Sequence, residues 1–479
     1  MSTSAKHFDV IVVGGGAIGL SIANELVQHK LNIALVSPKD RFGVASYAAG
    51  AMIDPFGEIE SMESEKAREK LDQGVQALRR YPAWLDSIAE RSGQDIFQNK
   101  GIVVISNVDG VGLDKPKMAL MKEQMTAYGE TFEELDPRDV PGLQPNYRFS
   151  TESAFLMNDV LCVDPTNLLP AIEVAIQNSG HCQQIDDRVL GLDPTNQTFL
   201  VNTEKSGTLQ ADHVVVCAGA QTQQILGESL RLKTGVPRLY YGRGAGCTVT
   251  EAPDFPYGIR TPNRVLACGI HLIPRANQRV YLGSTNQFST EYTAHQGASI
   301  GEIHILFETI MAQINTSLRT ASIESTDWGL RSVSQFDRLF VGETDIPGLI
   351  VATGTHRTGI QLSPHIAEIV AGDLMGQPVD TNPFSPKLSK QKPEEIDVPL
   401  GIRALMEIVT LPTGSMPYDR FNELNTFLSE MVSLALVDDD SDNEVRKELK
   451  QVLKDVPLSE QGMIHVYNKV LERHGHTSW

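Results

Sequence analysis

The chain of 479 residues is poor in cysteine and in long apolar runs, and each shortage excludes a class of protein. Its five cysteines are scattered without C-x-x-C spacing, so we expect no disulfide framework, no zinc site and no other metal site. This cysteine usage favours a reducing compartment, and a cytoplasmic location is expected. No run of about 18 apolar residues is present to span a membrane. The start of the chain enters a strand after a few polar residues, unlike a signal peptide.

Basic residues are also in short supply, with 41 against 60 acidic residues and a formal charge of -19. This balance argues against nucleic acid or an anionic membrane as a partner. Apolar residues make up 41% and charged residues 21% of the chain, which is the composition of a soluble globular protein. The length exceeds one ordinary domain, and two or three domains are expected.

A glycine-rich turn follows the first predicted strand. Residues 10–13 are strand formers, and Gly14, Gly16 and Gly19 complete a G-x-G-x-x-G pattern before a helix predicted over residues 17–28. Gly14 permits the tight turn, Gly16 lets the backbone approach a pyrophosphate, and Gly19 lets the helix pack against the strand. The phosphates would meet the free N–H groups of the helix N-terminus. The pattern therefore predicts a dinucleotide site.

The adenosine end of this site departs from the usual pattern. A second strand is predicted over residues 32–36, and a Glu or Asp that accepts the ribose hydroxyls should follow it. Ser37 stands there instead. Ser37 offers one hydrogen bond, and Asp40 is a candidate to curl back toward the ribose.

Two further segments are rich in small residues. Residues 349–364, LIVATGTHRTGIQLSP, predict a strand, a glycine turn and a helix start near the other end of the chain. A cradle built from both ends of the chain favours FAD, enclosed by the fold, over a diffusible nicotinamide. Residues 43–53, GVASYAAGAMI, would let the backbone approach a flat ring system, with a tight helix start as the alternative.

Six segments carry a resemblance to a known family. In chain order they are SYAAGAM, NDVLCVDPTNLL, DHVVVCAGA, HLIPRANQRVYLGST, DWGLR and ATGTHRTGIQLSP. Their order and spacing over residues 8–388 resemble the D-amino-acid-oxidase-like FAD oxidoreductases, especially glycine oxidase and sarcosine-oxidase-type enzymes. The resemblance implies non-covalent FAD, since no cysteine or histidine lies in a covalent attachment motif. It also implies oxidation of a C–N bond of an amino acid or N-substituted amino acid by hydride transfer to flavin N5. Hydrolysis of the imine and transfer of electrons to oxygen would follow.

The resemblance also implies a domain arrangement. We expect a mixed α/β fold with a Rossmann-like FAD-binding domain, an inserted and mostly antiparallel substrate domain, and a C-terminal helical extension. The expected boundaries are residues 8–90, 150–230 and 325–388 for the FAD-binding domain, 91–149 and 231–324 for the substrate domain, and 389–479 for the extension.

Three side chains are implied as catalytic or substrate-binding residues. Arg331 in DWGLR matches the arginine that pairs with the substrate carboxylate, to which a guanidinium donates two parallel hydrogen bonds. Arg357 in GTHRTGI matches a second substrate-side arginine, with a structural ion pair as the alternative. His271 replaces a tyrosine of glycine oxidase. Its imidazole, which ordinarily titrates near neutral pH, would be a polar contact or a proton acceptor from a substrate ammonium, unless it is merely packed. His356 is a second candidate for that role.

Contacts to FAD are implied at both glycine-bearing segments, at the small-residue segment and at two further positions. They are Gly14, Gly16, Ala17, Ile18, Gly19, Ser37, Ser46, Tyr47, Ala48, Ala49, Gly50, Val189, Gly219, Thr355, His356, Arg357, Thr358, Gly359, Ile360 and Gln361.

Residues 389–479 lie beyond the family's usual end, and amphipathic segments there predict several helices. A packed appendage, a dimerisation element, an active-site lid and a docking surface for another protein all remain open. The substrate class is also open, because it depends on which of these roles the extension has. One alternative is an oxidase of a small free amine or amino acid. Another is a tailoring dehydrogenase that receives a larger or protein-bound amine through residues 395–479, and a third is a non-catalytic flavoprotein.

Overall fold

The computed structural model describes residues 6–389, apart from gaps at residues 60–61, 63–64, 109–110, 238, 264–268, 290–291, 293–296, 335–337 and 380–381. The helices are α1 (Ala17–Leu26), α2 (Glu65–Ser92), α3 (Val111–Tyr128), α4 (Pro165–Ser179), α5 (Thr222–Thr234), α6 (Ile300–Gln313), α7 (Gly359–Leu374) and α8 (Pro386–Ser389). The strands are β1 (His7–Val13), β2 (Ile33–Val36), β3 (Gly43–Val44), β4 (Met52–Ile53), β5 (Gln98–Asn107), β6 (Phe132–Leu135), β7 (Thr151–Val163), β8 (Cys182–Ile185), β9 (Val189–Pro194), β10 (Phe199–Thr203), β11 (Thr208–Val216), β12 (Leu239–Thr250), β13 (Gly258–Arg260), β14 (His271–Arg275), β15 (Arg279–Gly283), β16 (Gln287–Ser289), β17 (Ser322–Ser334), β18 (Phe340–Glu343) and β19 (Leu349–Thr353).

The first sheet is built around β1. Its strand order is β18-β19-β11-β1-β2-β8. In addition, β10 pairs with β11, and β9 pairs with β10. Strand β1 pairs in parallel with β2 and β11, and β11 pairs in parallel with β19. Parallel strands covered on both faces are expected to be continuously apolar, as residues 10–13 of β1 and 214–216 of β11 are. The predicted Rossmann-like sheet is therefore confirmed.

Both faces of this sheet are covered. Because side chains alternate along a strand, Val10 and Val12 enter one apolar core, whereas Ile11 and Val13 enter another. The first core contains the buried sides of α1, α2, α4 and α7. The second core contains α5 and the paired strands β9 and β10. Helix α1 packs within this first core against α7, the helix that follows the last parallel strand.

The second sheet is mostly antiparallel, as predicted. Its order is β3-β17-β12-β15-β14-β13-β5-β7-β4, with β16 on β12 and β6 on β7. Helix α6 covers one face through Leu306 and Ile310. Strands β7 and β17 belong to this sheet, although the boundaries expected from the sequence place β7 and residues 325–334 of β17 in the FAD-binding domain. Their hydrogen-bonded partners decide this, since β7 pairs with β5 and β17 pairs with β12 along its whole course.

The predicted helices of the C-terminal extension lie outside the described residues. Within the described ranges, no helix is both long enough and apolar enough to cross a membrane.

Candidate cofactor and substrate site

A cavity lies at the carboxyl ends of four strands of the first sheet, and it also reaches the second sheet. Its wall includes residues that directly follow β1, β2, β11 and β19. Ligands of open parallel sheets bind at this edge. Residues 43–46, residues 48–52 and residues 329–332 of β17 also line it. One cavity therefore meets both the predicted cofactor segments and the predicted substrate residues.

The glycine turn after β1 fits a pyrophosphate. Gly14 has φ +116, and a Cβ there would lie 2.6 Å from the carbonyl oxygen of Cys217. A Cβ at Gly19 would lie 1.9 Å from the carbonyl oxygen of Gly14, so only glycine permits this approach of α1 to the strand. The first residues of α1 line the cavity, so their backbone amides are close to a bound ligand. The first turn carries no acidic side chain that would repel an anion. An anion is favoured at such a helix N-terminus.

The second glycine-bearing segment comes to the same cavity. Gly354, with φ +77, turns the chain after β19, and α7 begins at Gly359. Thr355 and His356 line the cavity between these two glycines. The structure thus brings together two segments from opposite ends of the chain, as an enclosed dinucleotide requires.

Most of the predicted cofactor contacts line this cavity. They are Gly14, Gly16, Ala17, Ile18, Ser37, Ser46, Ala48, Ala49, Gly50, Gly219, Thr355, His356, Arg357, Gly359, Ile360 and Gln361.

Four predicted contacts do not line it. Gly19 packs α1 against the glycine turn, and the Thr358 hydroxyl donates to the carbonyl oxygen of Thr355. Val189 is buried in the apolar core on the far face of the first sheet. Tyr47 turns its hydroxyl to Glu173, at 3.4 Å. None of these four residues faces the cavity. The sequence does not show this, because spacing alone does not say which face of a turn or strand is presented.

Arg331 carries a charge that no described carboxylate neutralises. Its side chain lies on Gly244, where a Cβ would come within 2.3 Å of both terminal nitrogens. The guanidinium donates to three neutral oxygens: the Thr285 carbonyl at 3.2 Å, the Asn286 side chain at 2.9 Å and the Ser284 hydroxyl at 3.1 Å. None of the ion pairs among the described residues includes Arg331. A cation held in this way at a cavity wall is suited to an anionic ligand.

The strand that carries Arg331 is also tied to the cofactor segment. The carbonyl oxygen of Ser332 accepts the backbone N–H of His356 at 2.9 Å. The Ser332 hydroxyl lies 2.9 Å from that of Thr353 and accepts the N–H of Gly354 at 3.3 Å. Neighbouring residues of β17 therefore carry the Arg331 guanidinium and hold the turn after β19.

His271 corrects one expectation from the sequence. The side chain is 5% exposed, and its ring stacks on Tyr281 with centroids 5.8 Å apart. Burial, together with the charges of Arg260 and Arg331, lowers the pKa of His271 to about 4. The expectation that it titrates near neutral pH is therefore wrong. Nδ1 lies 3.0 Å from the carbonyl oxygen of Gly269, which can only accept, so Nδ1 carries the proton and Nε2 is a hydrogen-bond acceptor.

Arg357 lies in an ion pair. Its Nε donates to Glu58 at 2.9 Å, and the two side chains are 7% and 14% exposed. Burial raises the pKa of Glu58, but the charges of Arg357 and Arg260 outweigh it and hold that pKa below its usual range. Glu58 also accepts from the Asn263 amide at 3.0 Å. Because Arg357 lines the cavity as well, its contact with a substrate stays a prediction.

Glu58 and Asn263 line the cavity, and sequence reasoning missed both. Glu58 ends a short 3-10 helix, Phe56–Glu58, and no motif surrounds it. Its neighbours Arg357 and Asn263 come from distant parts of the chain, so no local spacing identifies the group. Cys217 lines the cavity too, but burial raises its pKa to about 12, which removes it as a nucleophile at neutral pH. The part of the chain that the structure describes contains no group of three or more His, Cys, Asp or Glu side chains arranged for a metal ion.

Comparison with known proteins gives consistent matches. A family model described as FAD dependent oxidoreductase matches residues 9–372. Glycine oxidase of Geobacillus kaustophilus is 24% identical over 392 residues, which cover 79% of this chain and 96% of that enzyme. The crystal structure of a glycine oxidase from the same organism has a TM-score of 0.68 at 22% identity, covering 79% of this chain and 98% of the other. Iminodiacetate oxidase from Chelativorans sp. has a TM-score of 0.67 at 18% identity, over 79% and 98% of the two chains.

Proposed function

The chain belongs to the FAD-dependent oxidoreductase family, and from this premise we propose that it oxidises a small amino acid or N-substituted amino acid with a free carboxylate, using oxygen as the electron acceptor. The resemblance noted in the sequence is confirmed, as is FAD as the cofactor of an enzyme that acts on C–N bonds. The observation that carries the proposal is Arg331. Its guanidinium lies at the cavity wall and is bonded only to neutral oxygens.

Arg331 would fix the substrate by its carboxylate. Two charge-assisted hydrogen bonds from one planar group hold a carboxylate in position and in orientation. The α-carbon is then confined relative to the cavity wall, which includes residues 48–50 and 355–357. Such alignment supplies much of the rate of a reaction between two bound groups. When FAD is bound, it supplies the acceptor for the hydride that leaves the α-carbon.

His271 would contribute a hydrogen-bond acceptor. With a pKa of about 4 it is neutral at pH 7, and it is too weak a base to take a proton from a substrate ammonium. Its Nε2 lone pair can accept a hydrogen bond from a neutral substrate amine. The amine must be neutral to release hydride, and its ammonium proton would pass to solvent rather than to His271.

The names of the relatives support a small amino-acid substrate. They include glycine oxidases and an iminodiacetate oxidase. The alternative of a larger or protein-bound amine depends on residues 395–479. Those residues lie outside the described part of the chain, so that alternative stays a prediction.

Anaerobic mixing of the holoenzyme with a panel of glycine, D-, L- and N-alkyl amino acids tests the proposal. We expect at least one acid to bleach the flavin and the amine that lacks its carboxylate to fail. Reoxidation by oxygen, compared with an artificial dye, then tests the acceptor. Equal bleaching by acid and amine would contradict a carboxylate site.

The Arg331→Ala variant tests the assigned residue. We expect KM for the acid substrate to rise at least roughly tenfold, because charge-assisted hydrogen bonds contribute about 1.5–3 kcal/mol. FAD content should not change. Arg319→Ala is the control, since Arg319 is exposed and does not belong to the cavity wall. An Arg331→Ala variant with the KM of the unmodified enzyme would remove Arg331 from substrate binding.

A further inference from the structure

The end of β2 lacks the carboxylate that usually accepts the adenosine ribose of a bound dinucleotide. Ser37 follows the strand, and its backbone N–H donates to the carbonyl oxygen of Ile185 at 3.1 Å. Ser37 lines the cavity together with the glycine turn. Asp40 also lines the cavity, and one of its oxygens accepts the N–H of Phe42 at 3.0 Å, which ties its carboxylate to the loop rather than to the end of β2.

Arg41 fixes the position of the Ser37 hydroxyl. Its Nη1 donates to the Ser37 hydroxyl at 2.7 Å and to the carbonyl oxygen of Pro38 at 2.7 Å. A Cβ at Gly15 would lie 2.6 Å from the Ser37 hydroxyl oxygen and 2.7 Å from Nη1 of Arg41. Both groups therefore lie directly on the backbone of the glycine turn. Ser37 lines the cavity, whereas Arg41 does not.

Arg41 is held from the other side by Glu173 of α4. Its Nη2 donates to the Glu173 carboxylate at 2.5 Å, and the two side chains are 21% and 29% exposed. The Arg41 guanidinium also lies 5.7 Å from the centre of the Tyr47 ring. Burial raises the pKa of Tyr47 to about 12, so its hydroxyl stays protonated and donates to Glu173 at 3.4 Å. The guanidinium is thus held by hydrogen bonds from both terminal nitrogens and by the Tyr47 ring.

A serine hydroxyl has one donor hydrogen and two acceptor positions. Arg41 occupies one acceptor position, and the hydrogen makes only a long bond of 3.5 Å to the carbonyl oxygen of Pro38. The second acceptor position is open to the ligand, and the hydrogen can reach it by rotation of the hydroxyl. We propose that Arg41, held by Glu173, positions the Ser37 hydroxyl as the contact to the adenosine ribose, in place of the usual carboxylate. Arg41 and Glu173 are then positioning residues, and Ser37 is the contact.

The test uses nucleotides that carry only the adenosine half of the cofactor. FAD is removed from the full-length holoenzyme, and 5′-ADP and 2′,3′-dideoxy-ADP compete with FAD for the apoprotein while flavin fluorescence is followed. We expect the unmodified protein to prefer ADP roughly two- to tenfold, the range for one net hydrogen bond. Ser37→Ala and Arg41→Ala should remove the preference. Lys39→Ala is the matched control, because it removes a neighbouring cation from the same loop and should keep the preference.

Binding of FMN, which lacks the adenosine, separates this role from a purely structural one. Its affinity should be the same in all variants that fold. If Arg41→Ala does not fold, Glu173→Gln, which alters a partly exposed side chain, takes its place and should reduce the preference. A preference that survives in Ser37→Ala or in folded Arg41→Ala, or that is absent from the unmodified protein, would overturn the proposal. Equal weakening of FMN and FAD binding would do the same.

Discussion

Substitution of Gly244 by alanine isolates the position of the Arg331 guanidinium. Gly244 lies on β12, and the added Cβ would lie 2.3 Å from both terminal nitrogens and 2.4 Å from Cζ of Arg331. Ordinary contact begins at 3.4 Å, so the guanidinium must retreat by about 1.1 Å. These atoms are the far end of a flexible side chain, and the strand itself need not move. We therefore expect the variant to fold and to keep its FAD.

The expected loss is in the bonds to the substrate carboxylate. Hydrogen bonds to charged groups contribute about 1.5–3 kcal/mol each, and they weaken steeply when distance and angle change. A loss of about 2 kcal/mol lowers kcat/KM roughly thirtyfold, because each 1.4 kcal/mol corresponds to a factor of ten. The bonds that hold Arg331 to residues 284–286 are disturbed by the same shift.

The same strand offers a matched control. A Cβ at Gly242 would lie 3.3 Å from a Val333 methyl group and 3.4 Å from Cβ of Arg331, which is nearly ordinary contact. Gly242→Ala should therefore keep kcat/KM within about twofold, since the added methyl group meets its neighbours close to van der Waals distance and does not displace the guanidinium. Flavin reduction under anaerobic conditions, at a series of substrate concentrations, gives kcat/KM for both variants. If the two variants have equal kcat/KM at equal FAD content, the position of this guanidinium does not govern substrate binding.

Three further outcomes follow from the site. His271 has its pKa lowered from 6.5 to about 4, so between these values the unfolded chain binds a proton that the folded chain does not. The free energy of unfolding should fall by up to about 3 kcal/mol as the pH drops through this window, and His271→Gln should reduce that slope in urea titrations; an unchanged slope would refute the assignment. Glu58→Gln removes the charge beside nearly buried Arg357 and should cost about 3 kcal/mol of stability, measured by the shift in urea midpoint, whereas a change below about 0.5 kcal/mol would argue that the pair is unimportant. Gly14→Ala places a Cβ 2.6 Å from a backbone oxygen at φ +116, and the purified variant should lack flavin absorbance; a variant with full absorbance would show that the turn adapts.

Local chemistry made part of this site predictable from the sequence. The pattern of β1, the three glycines and the start of α1 depends on neighbouring residues, and the structure has the elements where they were expected. Arg331 was found because it lies within a recognisable segment. Its neutral surroundings were not foreseen, since Ser284 and Asn286 are far from it in the sequence.

Burial and long-range pairing set the rest. The pKa of His271 depends on the absence of water around the ring and on the charges of Arg260 and Arg331, neither of which a sequence pattern contains. Glu58 belongs to the site because the turn before α7 brings Arg357 to its carboxylate, and this contact joins residues that are far apart in the sequence. The placement of β17 in the second sheet likewise depends on its partner β12.

The bonds between Ser332 and the turn after β19 have a consequence for how such an enzyme can change its substrate. Arg331 and Ser332 are adjacent on one strand, and a strand presents successive side chains to opposite faces. A slip of β17 by one residue would exchange their two faces and would lose both the proposed carboxylate anchor and the support of residues 353–356. The position of Arg331 therefore cannot change by sliding of the strand. If Arg331 binds the carboxylate as proposed, new substrates must be accommodated by substitutions on the neighbouring strands, for example at His271.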